Sequence, residues 1–197
     1  MNLVERVKRI LLSPQTEWEV IDAEPATPGA LYAGYIAPLA AIGPIAQVIG
    51  YSVFGMSVPF VGTYRVPIGS ALTSALVGYL LTLVGTYVLA LIIDALAPKF
   101  SGQRSQIQAL KVAAYSSTAS WVAGIFALIP GLRILGILGL YSLYLLYLGL
   151  PVLMKSPREK AMGYTVVVIL AAIVLFMVIG VIASRFMGLP TPGMPVS

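Results

Sequence analysis

Cysteine and histidine are both missing from the chain. Without them there is no disulfide, no thiol nucleophile, no imidazole base and no zinc site of the usual donor set. Charge is the next scarcity. Only 10% of the 197 residues carry one, while 59% are hydrophobic; a soluble domain has roughly 25% charged residues. Most of the surface must therefore face something other than water. Acid is scarcer than base, 7 residues against 12. The net charge of +5 does not mark a nucleic-acid binder, because the basic residues are dispersed among short connections, and no nucleic-acid partner is expected. The basic N-terminus is not followed by an apolar stretch with a cleavage site, so no cleaved targeting peptide is expected.

What is present is a series of long apolar segments, each near the roughly 20 residues that a membrane-spanning helix needs. The reading is an all-α fold: a polytopic transmembrane bundle of five spanning helices behind a short N-terminal amphipathic segment. Residues 1–29 form the interfacial N-terminal part, 30–187 the transmembrane domain and 188–197 a flexible tail rich in Pro and Gly. In NLVERVKRILL, Leu3, Val4, Val7, Ile10 and Leu11 share one helical face, and Glu5, Arg6, Lys8 and Arg9 share the other. Ser13-Pro14 ends that helix, and Thr16-Glu17-Trp18-Glu19 reads as a capping box opening a second one that stops at Glu24-Pro25. Both are expected to lie on the membrane surface or to cap the bundle.

The spans run from about Leu31 to Phe54, Ile68 to Ala97, Gln106 to Ile129, Leu132 to Met154 and Ala161 to Met187. Pro38, Gly43 and Pro44 predict a kinked or locally broken first span. The second, about 45 Å long at 1.5 Å per residue, should tilt or protrude. Five spans place the N-terminus and the second-to-third and fourth-to-fifth connections on one side. Arg6, Lys8, Arg9, Lys99, Arg104, Lys111, Lys155, Arg158 and Lys160 then gather there, leaving Arg65, Arg133 and Arg185 opposite. The positive-inside rule puts the N-terminus in the cytoplasm and the C-terminus outside a cell (inner) membrane.

Asp94 is the one carboxylate inside an apolar span, and such a residue is a functional candidate by default. Lys111 should lie at similar depth, so one reading is an Asp94–Lys111 ion pair or a hydrated interfacial carboxylate. The other is a proton- or cation-handling site that adds Tyr115, Ser116, Ser117, Thr118 and Ser120, the most polar stretch within any span. Hydroxyls in lipid can bond the carbonyl four residues back, so a structural use of the cluster stays open too. Ser70, Ser74, Gly78, Thr82 and Thr86 place a small or polar residue at every fourth position of the second span, a pattern for close helix packing. Arg6, Lys8, Arg9, Lys99, Arg104, Lys155, Arg158 and Lys160 are expected to face lipid headgroups. No nucleophile–base pair and no phosphate-binding glycine loop is visible, so no enzymatic activity, cofactor or metal is expected.

SPQTEWEVIDAEP, APLAAIGPIAQVIG, FSGQRSQIQALKVAAYSSTASWVAGIF and LYSLYLLYLGLPVLMKSPREKAMGYTVV occur in that order. This set resembles the bacterial branch of the Yip1 domain family over roughly Leu11 to Gly180. The resemblance implies five spans and a cytoplasmic N-terminus. Eukaryotic relatives act in vesicle traffic with prenylated small GTPases and carry a DLYGP motif ahead of the first span. That motif is absent here, and the GTPase role is not carried over. Ala114-Tyr115-Ser116 resembles the family's Gly-Tyr-Ser signature, with Ala in place of Gly. The expected function is a non-catalytic membrane protein organising lipids or partner proteins, with a small oligomeric transporter or channel as the alternative. The expected partners are membrane lipids and a second copy or another membrane protein.

Overall fold

Long apolar runs without charge can satisfy their backbone groups in lipid only by coiling into helices, and helices dominate the computed structural model, which describes residues 2–58 and 62–184. Four helices are long and apolar enough to cross a membrane. They are α3 (Pro28–Phe54), α4 (Ile68–Leu96, continued by a 3-10 turn to Phe100), the run Gly131–Leu153 that ends in α7 (Tyr141–Leu153), and α8 (Arg158–Ser184). Between α3 and α4 the chain makes a short antiparallel hairpin, Met56–Val58 against Gly62–Tyr64, where only a loop was expected. The tail expected beyond residue 187 lies outside the described residues.

The third expected span differs. The stretch from Gln106 to Leu128 is α5 (Gln106–Ser116), α6 (Thr118–Ala123) and a 3-10 segment (Gly124–Leu128), broken at Ser117. The physical reason is in its surroundings. Every residue from Ala109 to Ser116 is buried inside the protein, so this helix has no lipid-facing side to be made greasy. From Ala109 to Ser116 three Ala, a Ser, a Lys and a Tyr stand beside only Leu110 and Val112, and that low hydropathy reports protein on all sides. The outer helices show the converse: Leu72, Leu76, Leu80 and Val84 on α4, and Leu170, Val174, Met177 and Val181 on α8, are exposed at helical spacing. An apolar surface of that extent belongs against lipid.

Pro38 does not break α3. Its missing N–H is absorbed by a widened turn over Tyr32–Ile36, in which the Ala37 N–H reaches back to the Tyr32 carbonyl. A second widened turn over Gly50–Phe54 ends the helix at Gly55, whose φ of 81° suits glycine. Two glycines of α3, Gly43 and Gly50, serve contact. A Cβ on Gly124 would stand 2.8 Å from the Gly43 Cα, and one on Gly50 would stand 2.3 Å from the Ala127 carbonyl oxygen. Backbone therefore meets backbone where α3 crosses the end of α6.

The N-terminal residues form a helical hairpin, α1 (Leu3–Leu12) and α2 (Pro14–Ala23). The second helix starts at Pro14, two residues before the expected capping box, because proline fits the first helical position. The apolar face of the hairpin is turned inward. Ile10, Trp18 and Ile21 are fully buried, and Leu3, Val7 and Leu11 pack on the same core. Trp18 lies on Gly149 of α7, where a Cβ would come within 2.6 Å of the indole. The hairpin thus caps the bundle with the face that would otherwise have met lipid.

Candidate functional site

The polar residues inside the protein gather at the end where α1, α2 and the 97–105 and 154–157 connections meet. Arg6 is buried with its Nη1 2.5 Å from Glu17 Oε1, and its Nη2 bonds Glu24. The guanidinium carbon also stands 5.7 Å from the centre of the Tyr115 ring. Burial pulls the Arg6 pKa down, but the hydrogen bond and charge of Glu24, with Tyr115 and Glu17, raise it above its ordinary value. The expectation that Arg6 faces lipid is therefore corrected. Its spacing placed it on the charged side of α1, and the return of α2 through Ser13-Pro14 folded that side against two carboxylates.

Around this pair the contacts form a continuous set. Tyr115 meets Trp18 edge-on at 6.3 Å and tilts against Tyr35 at 4.4 Å. The Tyr35 hydroxyl is 2.7 Å from Thr118 Oγ1, which itself donates to the Tyr115 carbonyl. Lys111 Nζ donates to the carbonyls of Ile21 and Glu24, at 2.8 and 2.5 Å, and so closes the C-terminal end of α2 with a cation where the helix dipole favours one. Asp22 takes hydrogen bonds from Gln108 Nε2 at 3.0 Å and from Lys155 Nζ at 2.5 Å. One helix of the membrane body, α5, and the connection after α7 thereby hold the hairpin by side chains that cross from one segment to the other.

The residues read as one candidate ion-handling site are not brought together. Lys111 is committed to α2, and Asp94 forms no salt bridge among the described residues. Asp94 lies half-buried near the C-terminal end of α4, and its Oδ1 is buried without a hydrogen-bond partner. Next to it, the hydroxyl of Tyr164 donates to the Ile93 carbonyl. Ser116 and Ser117 both bond the Ala113 carbonyl, at 3.4 and 2.8 Å, which satisfies them within their own helix. Ser120 turns away to Gly139 and Ser142. The cluster therefore divides among three neighbours and lines no single path.

On α4, the hydroxyls of Ser74, Thr82 and Thr86 bond the carbonyls of Ser70, Gly78 and Thr82, four residues back. Only part of the expected stripe is in contact. Thr86 is buried, but Gly78 faces open space, and the close approach to α8 is at Gly85, where a Cβ would come within 2.6 Å of Ile179 Cδ1. A repeat of exactly four residues winds around a helix of 3.6 residues per turn, so it cannot stay on one interface over its whole length.

Lys8, Arg9, Lys99, Arg104, Lys155, Arg158 and Lys160 are all exposed. Arg9 pairs with Glu5 on the surface, and Lys155 with Asp22. Beside this rim a cavity of about 700 Å³ opens between α2, α7 and the start of α8, lined by Trp18, Glu19, Tyr147, Ser156 and Arg158 among others. Trp18 Nε1 is buried without an acceptor. Sequence reasoning missed Asp22, Glu17 and Glu24 as internal partners, since each read as a water-facing carboxylate. The signal that could have found them is the short Ser13-Pro14 turn, which must return α2 onto α1.

Comparison with known proteins gives one match by family: the model of the Yip1 domain covers residues 8–179. No curated protein and no solved structure matches the chain.

Proposed function

The chain belongs to the Yip1 domain family, and on that footing we propose that it is a non-catalytic membrane protein that gathers anionic lipids or partner proteins at its basic end. In this reading that end is cytoplasmic, the Gln106–Leu128 stretch completes a fifth crossing, and the C-terminus is extracytoplasmic. The observation that carries the reading is how the polar groups are divided. Lys111, Ser117 and Thr118 inside the bundle are spent on backbone carbonyls and Arg6 on Glu17 and Glu24, whereas seven basic side chains stand exposed around one rim. A basic residue close to an anionic leaflet contributes about 1 kcal/mol, so the rim as a whole can select lipid.

The test is the lipid retained around the full chain in nanodiscs of mixed neutral and anionic lipid. Replacing Lys99, Arg104, Arg158 and Lys160 with Gln should lower the enrichment of anionic lipid several-fold, with unfolding temperature unchanged. Equal enrichment in the two proteins ends the lipid reading. The transporter alternative draws on the unbonded Oδ1 of Asp94. It requires proton or cation flux in proteoliposomes that falls in Asp94→Asn; background flux in both proteins removes it.

A further inference from the structure

The other end of the molecule carries a different feature. Arg133 lies in the 3-10 segment Pro130–Leu140 that leads into α7, and its guanidinium carbon stands 4.5 Å from the centre of the Tyr51 ring at the end of α3. Its Nε and Nη2 are buried with no hydrogen-bond acceptor. Arg133 lines a cavity of about 450 Å³ together with Ser120, Phe126, Leu140, Ser142 and Leu143. Ser142 Oγ accepts from the Ser120 amide at 3.0 Å and lies 2.9 Å from Ser120 Oγ, which also donates to the Gly139 carbonyl at 3.0 Å, so the Ser142 proton can turn either to Ser120 or into the cavity. A guanidinium with two unmet donors and a hydroxyl that can turn thus border one cavity.

No side-chain carboxylate can supply the missing charge. All seven are Glu5, Glu17, Glu19, Asp22, Glu24, Asp94 and Glu159. Five of them belong to the hairpin and its C-terminal cap, and Glu159 to the first turn of α8. The seventh, Asp94, lies at the far end of α4 from this cavity. The α4 N-terminus is tied to Tyr51 through the Val66 N–H and the Tyr51 carbonyl, and Asp94 follows Ile68 by 26 positions, about 39 Å of helix. A half-buried cation with no internal counter-charge needs one from outside.

We propose that this cavity binds a phosphate-class anion through Arg133 and Ser142, and that the anion is the phosphodiester of a membrane lipid. The guanidinium fork matches phosphate oxygens two at a time. The lipid source follows from the neighbourhood: Ile134, Ile137 and Leu138 are exposed on the same segment, so the cavity opens beside lipid-facing side chains. Acyl chains can lie along them while the headgroup enters. The site is at the end opposite the basic rim, and it stands or falls independently of the role proposed for that rim.

The experiment follows thermal unfolding of the full chain in a nonionic detergent against dihexanoylphosphatidylglycerol, inorganic phosphate and dihexanoylglycerol, which lacks phosphate. Wild type should show saturable stabilisation by the phospholipid and none by dihexanoylglycerol. Arg133→Gln should bind at least about tenfold more weakly, the size of a lost charged hydrogen bond, and Ser142→Ala a few-fold more weakly. If inorganic phosphate saturates the same Arg133-dependent effect, the anion site stands and the lipid source is overturned. Unchanged affinity in Arg133→Gln, or equal stabilisation by dihexanoylglycerol, overturns the site. Should Arg133→Gln fail to fold, Ser142→Ala decides, and unchanged affinity there is the refuting result.

Discussion

Trp18, Gly149 and Arg6 show how single positions carry the attachment of the N-terminal hairpin. The indole of Trp18 occupies the space that a side chain at position 149 would fill, with ring carbons 2.6 to 2.8 Å from a hypothetical Cβ. Gly149→Val should therefore push Trp18 off α7 and cost about 1–3 kcal/mol, as overpacking does; a lowered unfolding temperature together with a shifted tryptophan emission is the measurement. Arg6 and Glu17 are both nearly sealed from solvent, at 5% and 3% exposure. Removing one member of such a pair strands the other, at a cost of about 3 kcal/mol or more. Arg6→Met should be strongly destabilising by thermal unfolding. Adding Glu17→Gln to it should recover part of the loss, because the second change removes the stranded charge. A double variant less stable than the single would show that the pair is not coupled in this way.

At the scale of elements, the decisive relation is between α2 and α5. The ammonium of Lys111 supplies donors to carbonyls at the end of α2 that have no partner within the helix. Lys111→Met keeps the length of the side chain and removes those donors. Hydrogen exchange should then accelerate over residues 14–24, while protection in α4 and α8 is kept, because hydrogen bonds to a charged group contribute about 1.5–3 kcal/mol. No change over α2, or a uniform change over the whole chain, contradicts the capping role. The same relation explains why α5 was legible as a helix but not as a central one. Its apolar residues pointed to a span and its hydroxyls to a polar stretch within one, and neither says what surrounds it. Only the packing of α2, α3, α4 and α7 around it makes Ala109 to Ser116 buried on every side.

At the scale of the molecule, the exposed apolar belts of α4 and α8 and the clustering of cations at one end describe a membrane-embedded body with one basic face. That asymmetry leads to an expected orientation. Reporter fusions within Lys155–Lys160 should read as cytoplasmic and fusions near Arg65 as extracytoplasmic; the reverse pattern would contradict the charge argument. The carboxylates are equally asymmetric, and this leaves Arg133 as a cation that no side-chain carboxylate answers.

Composition and hydrophobic period were enough to determine a helical membrane protein, the amphipathic N-terminus, and four apolar segments that the structure forms as Pro28–Phe54, Ile68–Phe100, Gly131–Leu153 and Arg158–Ala183, because lipid accepts only coiled backbone and apolar surface. They could not say which partner each polar group would take. A lysine at position 111 is compatible with Asp94 nearby in depth or with a helix end brought from 90 positions away, and only the folding of α2 onto α5 decides between them. For the same reason Gly149 and Gly85 looked like any other glycine in an apolar run. A close approach is a property of two backbones, and the sequence of one shows nothing of where the other passes.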